Sequence, residues 1–388
     1  MFLYFPTNYV WSASVSIAME NGGKIGEIEE ICRPLLEIAT KGDDPGTEAW
    51  FERWIAKAEQ LVELAAEDEA LGRVYSAGAK LKRAAVYYLT GERMQKHGYE
   101  PRTIAYAKGR NAFLKGALLI GEKVERVEIP YKGGLIAGYL LQADKVAGKQ
   151  PILVHINGLD SLKEMLYCAG WPEALAKRGV ASLVIDQPGT GETLRIHGLP
   201  AEVASENWGS VVVDYLETRA DIDPKRIGIM GVSLGGYYTP RVVAFEPRYA
   251  LGAVWGANHN WGEMQKRRLA REGDRPVPHY WEHVAWVWGA KNHEEFMRLA
   301  EDIHLNGILD RVKVPFLVTH GSKDRQIPVE FAYQTYDQLV NSPKRELKIF
   351  TDREGGVQHS SIDNMANAGS YIVDWVAENL GGHTGPKG

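Results

Sequence analysis

The chain has 388 residues, of which 45% are hydrophobic and 24% charged. This length suits one large domain of about 250 residues and a smaller one. The formal net charge is −5, from 45 basic and 50 acidic residues, and this balance gives no reason to expect nucleic acid or an anionic membrane as a partner. The two cysteines, Cys32 and Cys168, lack metal-ligand spacing. We therefore expect no disulfide framework, no metal site and a reducing, cytoplasmic compartment.

The first segment, Met1–Met19, carries no charged side chain and invites comparison with an export signal. It lacks a basic first region, and Tyr4, Pro6 and Trp11 interrupt its apolar core. We therefore expect it to pack on the domain or at a subunit contact. No apolar run elsewhere reaches the ~20 residues of a membrane span, so no membrane partner is expected.

Residues 24–119 have the pattern of helices. Apolar residues recur at helical spacing from Glu48 to Ala65, and the run Ala77–Met94 is rich in helix-forming residues. A third run, Ile104–Leu119, follows a proline. These runs predict antiparallel helices in an N-terminal cap region, residues 1–122. The region could cover the substrate or form a dimerisation surface, and we expect a homodimer.

From Val124 the pattern changes to short apolar runs bounded by Gly, Pro and Asp, after a hairpin that turns at Lys132–Gly134. The runs are Ile152–Val154, Ala181–Ile185, Ile227–Met230, Gly252–Trp255 and Pro315–Val318. Such runs are typical of parallel strands covered on both faces, and helical stretches lie between them. The alternation predicts a doubly wound, mostly parallel sheet in a domain of residues 123–388.

A serine lies in the turn between a predicted strand and a predicted helix. Ser233 has glycines on both sides within Gly231–Gly236 and follows the strand Arg226–Met230. A sharp strand-to-helix turn needs small residues beside the serine, and it lifts the hydroxyl above the sheet. The helix N-terminus next to it favours developing negative charge. The segment predicts a catalytic nucleophile, and the alternative is a glycine-rich packing turn.

A serine hydroxyl is a weak nucleophile without a base, so a histidine and an orienting acid are expected later in the chain. Asp324 follows the apolar strand Phe316–Val318, and His359 lies in a glycine-flanked loop after Leu347–Phe350. Active sites of such sheets lie in loops at the carboxyl ends of the strands. The order Ser233, Asp324, His359 is that of α/β-hydrolases. The sequence therefore predicts the α/β-hydrolase fold and this triad.

Other histidines and acids are interpreted as structural. His320 ends a core strand, where a packing role is favoured over a catalytic one. Asp310, Asp352 and Asp363 fit surface or capping roles.

Acyl transfer also needs donors for the negative charge that develops on the carbonyl oxygen. One is expected to be the backbone N–H of Leu234, the residue after the nucleophile. The second is expected from Leu159, in the loop Asn157–Asp160, where Gly158 allows a sharp turn. An ordinary turn is the alternative for this loop.

Two further segments are expected to shape the substrate pocket. Asp186–Glu192 resembles a nucleotide-binding loop only superficially, because it lacks a third glycine and a phosphate-binding lysine. We interpret it as part of the pocket rim and expect no cofactor. The insertion at about residues 258–309 is rich in aromatic residues and is interpreted as a lid that favours a flat, apolar small molecule as substrate. Candidate pocket residues are Trp255, His259, Trp261 and Tyr237.

Three motifs give the chain a resemblance to a known group of enzymes. They are Asn157–Glu164, Asp186–Glu192 and Gly231–Tyr238. With the helical N-terminal region, the hairpin and the sheet, the chain resembles the 2,6-dihydroxypseudooxynicotine hydrolase type of α/β-hydrolase. Relatives of that group include the fungal polyketide-shortening hydrolases and the FrsA-like proteins. The resemblance covers most of the chain.

The resemblance implies hydrolysis of a carbon–carbon bond beside a ketone, in an aromatic or polyketide substrate, with Ser233, Asp324 and His359 as the triad. It also implies an auxiliary acid after the strand that follows the serine, where Glu263 lies; a solvated lid carboxylate is the alternative. The same triad would serve a carboxylesterase, a thioesterase or an acyltransferase. An alternative of another class is a non-enzymatic, FrsA-like binding protein, against which the intact triad argues.

Overall fold

The computed structural model describes residues 1–144, 146, 148–271 and 273–386. The chain divides into two compact units, Met1–Val124 with Asp274–His283, and Glu125–Gly273 with Val284–Gly388. Lys387 and Gly388, the last residues of the predicted α/β domain, lie outside the described residues.

The first unit is helical. Its described helices up to Val124 are α1 Tyr9–Glu20, α2 Ile25–Cys32, α3 Leu36–Ala39, α4 Thr47–Ala70, α5 Val74–Arg93 and α6 Glu100–Leu119. Helices α4, α5 and α6 correspond to the three predicted helical runs, and only Met94 of the second run lies beyond its helix. The uncharged N-terminal segment forms α1, where the buried Trp11 packs on Trp50 with ring centroids 5.0 Å apart. None of the described helices combines the length and hydropathy needed to cross a membrane.

The second unit is built on a sheet, in which eight strands are described. They are β1 Val124–Tyr131, β2 Gly134–Leu141, β3 Gln150–Ile156, β4 Ala181–Asp186, β5 Ile222–Val232, β6 Leu251–Trp255, β7 Phe316–Gly321 and β8 Arg345–Phe350. Their order across the sheet is β1-β2-β4-β3-β5-β6-β7-β8. Strands β3 to β8 pair in parallel, and β2 pairs antiparallel to β4. Strands β1 and β2 are joined by Lys132 and Gly133, whose φ angles of 44° and 79° suit a two-residue hairpin turn.

Helices connect the strands of the second unit, and the last helix follows β8. They are α7 Lys163–Cys168, α8 Trp171–Ala176, α9 Gly191–Arg195, α10 Glu206–Glu217, α11 Gly235–Phe245, α12 Trp261–Leu269, α13 Tyr280–Val287, α14 His293–Ala300, α15 Glu330–Gln338 and α16 Met365–Leu380. The predicted insertion at residues 258–309 holds α12, α13 and α14. Its segment Asp274–His283 groups with the first unit, so α13 begins in one unit and ends in the other. The lid role of the insertion stays a prediction.

The sheet explains where a site can form. Strands β3, β4, β6 and β7 are buried along their whole length, because their continuous apolar runs meet packing on both faces. The chain passes from β3 to β4 on one side and then returns to place β5 on the other side of β3. A crevice forms where the strand order reverses in this way. The carboxyl ends of β3 and β5 meet at that point.

Candidate active site

Ser233 lies in a strained turn between the end of β5 and the start of α11. Its φ is 56°, in the left-handed region that a non-glycine residue rarely adopts, and its N–H donates to the carbonyl of Trp255 at 2.9 Å. The neighbouring glycines have no room for a side chain. A Cβ at Gly231 would lie 2.4 Å from the first carbonyl oxygen of α11, and one at Gly236 would lie 2.2 Å from the carbonyl of Gly256. The turn therefore needs glycine at both positions.

His359 connects the serine to an acid. Its Nε2 lies 2.7 Å from Ser233 Oγ, and its Nδ1 lies 2.8 Å from Asp324 Oδ2. The imidazole belongs to a short 3₁₀ turn, His359–Ser361, and is almost fully buried. The loop before it is held by Asp363, whose carboxylate accepts hydrogen bonds from the two backbone N–H groups that precede His359. The geometry suits proton transfer from the serine to the imidazole.

Asp324 is held as a buried carboxylate. Its Oδ1 accepts hydrogen bonds from the N–H groups of Gln326 at 2.8 Å and Ile327 at 2.9 Å, which leaves Oδ2 for His359. Burial alone would raise the pKa of Asp324, but His359 and the backbone N–H of Ile327 outweigh it and hold the pKa below its usual value. The acid is therefore ionised at neutral pH.

A second histidine, His320, also lies beside this carboxylate. It is fully buried, its Nε2 lies 3.0 Å from the carbonyl oxygen of Ile327, and the same nitrogen is 3.4 Å from Asp324 Oδ2. Burial lowers the pKa of His320. This neutral imidazole therefore packs against the same oxygen of Asp324 that His359 contacts.

Two backbone N–H groups are available near the serine. Within the described residues, the N–H groups of Leu159 and Leu234 donate no hydrogen bond to a protein acceptor. The loop that carries Leu159 touches the nucleophile, because a Cβ added to Gly158 would lie 2.8 Å from Ser233 Cβ and 3.3 Å from its Oγ. Only glycine fits at position 158. The two N–H groups are therefore candidates to bind an oxyanion.

The four predicted pocket residues pack inside the second unit. Trp255 donates through Nε1 to Ser361 Oγ at 3.0 Å, and Tyr237 donates through its hydroxyl to a backbone carbonyl at 2.8 Å. Trp261 packs on two other aromatic rings. Both ring nitrogens of His259 have protein partners, and burial lowers its pKa to about 4. These contacts are made within the protein, and the pocket role of the four residues stays a prediction.

Glu263 lies in the first turn of α12. Its Oε1 is 3.3 Å from Arg267, and its side chain is 44% exposed. Within the described contacts, this carboxylate pairs with Arg267 and has no hydrogen bond to the residues around Ser233. This is the arrangement of the solvated carboxylate that the sequence left as the alternative.

Sequence families match both halves of this chain. The family described as esterase FrsA-like matches residues 46–257, and the prolyl oligopeptidase family matches residues 171–383. Each match covers more than half of the chain.

Curated relatives match over nearly the whole length. An alpha/beta hydrolase, psoB, from Aspergillus fumigatus is 30% identical and covers 95% of this chain and 91% of its own. Hydrolase LUC6 from Fusarium sp is 29% identical, with coverage of 89% and 91%. The 2,6-dihydropseudooxynicotine hydrolase of Paenarthrobacter nicotinovorans is 26% identical, with coverage of 87% and 86%.

Solved structures with the same fold include 2,6-dihydroxy-pseudo-oxynicotine hydrolase. It superposes with a TM-score of 0.76 at 24% identity and covers 94% of this chain and 95% of its own. The structure of AbyA5 superposes with a TM-score of 0.71 at 18% identity, with coverage of 94% for both chains. At these identities the two structures establish the fold alone.

Proposed function

Since this chain belongs to the FrsA-like esterases and, through its C-terminal half, to the prolyl oligopeptidase family of α/β-hydrolases, we propose that it hydrolyses a carbon–carbon bond beside a ketone by a Ser233–His359–Asp324 triad. One observation carries the proposal: His359 lies 2.7 Å from Ser233 Oγ through Nε2 and 2.8 Å from Asp324 through Nδ1. A base within hydrogen-bond reach of a hydroxyl, and itself oriented by a carboxylate, is the arrangement that activates a serine.

The first step is attack of Ser233 Oγ on the substrate ketone. The hydroxyl proton passes to Nε2 of His359, and Asp324 stabilises the imidazolium and fixes the tautomer. The carbonyl oxygen becomes an oxyanion, for which Leu159 and Leu234 offer their N–H groups. Removing one such donor typically costs about 10²–10³-fold in rate.

The second step breaks the bond to the neighbouring carbon. The bonding electrons leave with that carbon, and His359 returns the proton to it. The leaving carbanion must be stabilised as an enolate or by an electron-rich ring, so we propose a β-diketone or an acylated arene as the substrate class. Water then hydrolyses the acyl-serine, giving one carboxylic acid and one new C–H bond. Direct attack by water that His359 activates is a second route to the same products.

The names of the relatives support this class of reaction. One is a hydrolase of 2,6-dihydropseudooxynicotine, and another is named 20-hydroxy-prefusarin hydrolase, from Gibberella moniliformis. The esterase description of the matching family favours a second candidate, cleavage of a carboxylic ester at the same serine.

A paired substrate screen separates the two candidates. Wild-type enzyme and Ser233→Ala are incubated with aryl β-diketones and with aryl esters of the same acyl group, and products are identified by mass. We expect diketone cleavage by the wild type and a loss of several orders of magnitude in Ser233→Ala. Cleavage of esters alone would reject the C–C proposal, and turnover of either substrate by Ser233→Ala at near the wild-type rate would reject the nucleophile.

A further inference from the structure

Two of the three sequence motifs that mark the resemblance meet in a buried charged cluster. Lys163, the first residue of α7, has no exposed surface. Its Nζ lies 2.8 Å from Glu164 Oε1, 2.9 Å from Asp186 Oδ2 and 3.1 Å from Glu192 Oε2. We call these four residues the Lys163 cluster. Lysine is almost never fully buried unless it is paired. Here one ammonium group contacts three carboxyl groups.

Two further side chains contact the carboxyl groups of the cluster. Arg126 brings a second cation, which binds Glu192 through two hydrogen bonds of 2.6 and 3.0 Å. Tyr139 donates its hydroxyl to Glu164 Oε1 at 3.0 Å, and burial raises the pKa of Glu164. Without Lys163, the buried carboxylate of Asp186 would lose the cation that pairs with it, and an uncompensated buried charge destabilises the fold.

Asp186 ties together both ends of the loop that touches the nucleophile. Its Oδ1 accepts from Asn157 Nδ2 at 3.2 Å and from the backbone N–H of Lys163 at 2.8 Å. The next residue, Gln187, reinforces one end, because its side-chain amide exchanges two hydrogen bonds with the backbone of Asn157. The loop of residues 157–163 is thus anchored at both ends to the carboxyl end of β4. Between the anchors lie Gly158, against Ser233, and the unengaged N–H of Leu159.

These contacts give Asp186–Glu192 a structural role that the sequence does not predict. Asp186 and Glu192 are buried, and Asp186 binds both the loop and the lysine. The structure shows why the motif has a glycine at position 191. Its φ is 43°, and a Cβ there would lie 2.0 Å from the Asp186 carboxyl carbon. The carboxylate occupies the space that a side chain would need.

We propose that Lys163 is a positioning residue for the reaction, an inference that rests on the proposed function. Lys163 neutralises the carboxylate that fixes both ends of loop 157–163, and the fixed loop holds the Leu159 N–H where the oxyanion forms. The effect of Lys163 is on the transition state, because the ground-state ketone has no full charge for this donor to bind. Lys163 itself does not touch the reacting atoms.

The test is Lys163→Met, with active sites counted by fluorophosphonate labelling. We expect kcat per labelled site to fall about 10–100-fold, which is no more than the effect of removing one oxyanion donor. The KM should change by less than about twofold. The affinity of an aryl trifluoromethyl ketone, which forms an oxyanion on the serine, should fall by the same factor as kcat. The affinity of the carboxylic acid product should stay within about twofold. If Lys163→Met does not fold, Lys163→Met/Glu164→Gln removes the lysine together with the carboxyl group of one of its three partners.

Arg248→Met is the matched control. Arg248 also binds three carboxylates, Glu246, Asp214 and Glu217, but it lies beyond the far end of α11 from Ser233. It should alter thermal stability and leave kcat per labelled site unchanged. The positioning role is overturned if either Lys163 variant keeps wild-type kcat per labelled site and wild-type affinity for the trifluoromethyl ketone. If Ser233→Ala still turns over or is labelled, it is the proposed function that fails.

Discussion

Asp324 is a residue whose surroundings fix its protonation state. Two backbone N–H groups occupy one carboxylate oxygen, and the imidazole of His359 faces the other. An aspartate in this position keeps the base in the tautomer that can accept the serine proton. The side chain can therefore contribute to turnover without touching the substrate.

Asp324→Asn tests this contribution. The amide keeps the shape of the side chain but cannot stabilise the imidazolium, so we predict that kcat falls about 10³–10⁴-fold, as in other serine triads. Steady-state kinetics on the substrate that the screen identifies would measure the loss. Asp352→Asn is the matched control, because Asp352 is an exposed acid that pairs with Lys323 in the neighbouring loops, and its rate should not change. A loss of less than about tenfold in Asp324→Asn would contradict the role of the acid.

The sequence predicts Ser233, Asp324 and His359 because each depends on local signals, such as a strand followed by a glycine-rich turn, and on chain order. Lys163 was missed. Its partners Asp186 and Glu192 lie more than twenty residues away, and only the parallel pairing of β3 with β4 brings them together. A buried lysine also looks the same in sequence as a solvated one.

At the scale of elements, the loop after β3 packs against the turn after β5. The approach is so close that position 158 has no space for a methyl group, which would lie 2.8 Å from Ser233 Cβ. A Cβ atom in a folded protein essentially never lies this close to another heavy atom. Either the loop or the serine must therefore move when position 158 carries a side chain.

We predict that Gly158→Ala lowers kcat about 10–100-fold while the protein stays folded, because displacement of the loop carries the Leu159 N–H away from the oxyanion. Circular dichroism and kcat per labelled site would measure the two effects. Gly26→Ala on α2 is the control, since nothing lies within 4 Å of a Cβ there, and it should leave both unchanged. Equal activity of Gly158→Ala and wild type would show that the loop does not supply the donor.

Most helices and strands can be predicted from the local pattern of apolar and polar residues. The apolar runs predict the strands β3 to β7, and helical spacing together with helix-forming composition predicts α4, α5 and α6. The grouping of Asp274–His283 with the N-terminal helices was not predicted. That grouping depends on tertiary packing of a segment more than 150 residues away from α6, for which the sequence has no local signal.

At the scale of the whole molecule, several buried histidines are held neutral. Burial lowers the pKa of His155 to about 3 and that of His259 to about 4, and it lowers the pKa of His320 as well. The unfolded chain, with histidine pKa values near 6.5, binds more protons than the folded chain below that pH. Stability is therefore fully present above pH 6.5 and is lost as the pH falls toward the folded pKa values.

We predict that the free energy of unfolding falls on acidification from pH 7.5 to pH 5, with each buried histidine contributing a slope of up to about 1.4 kcal/mol per pH unit. Urea titrations followed by tryptophan fluorescence at several pH values would measure the slope. His155→Gln should reduce it, because the glutamine can keep a hydrogen bond to Ser182 but takes up no proton. A slope that is the same in His155→Gln and wild type would show that the buried imidazole does not cause the loss of stability.

The homodimer that the helical region suggests stays a prediction.

The identity of the nucleophile is tested most directly by mass spectrometry of the protein after reaction with a fluorophosphonate. We expect one phosphonyl group per chain, located by peptide sequencing on Ser233, with turnover lost in proportion to labelling. Label on another residue, or full turnover by completely labelled protein, would contradict the assignment of Ser233 as the nucleophile.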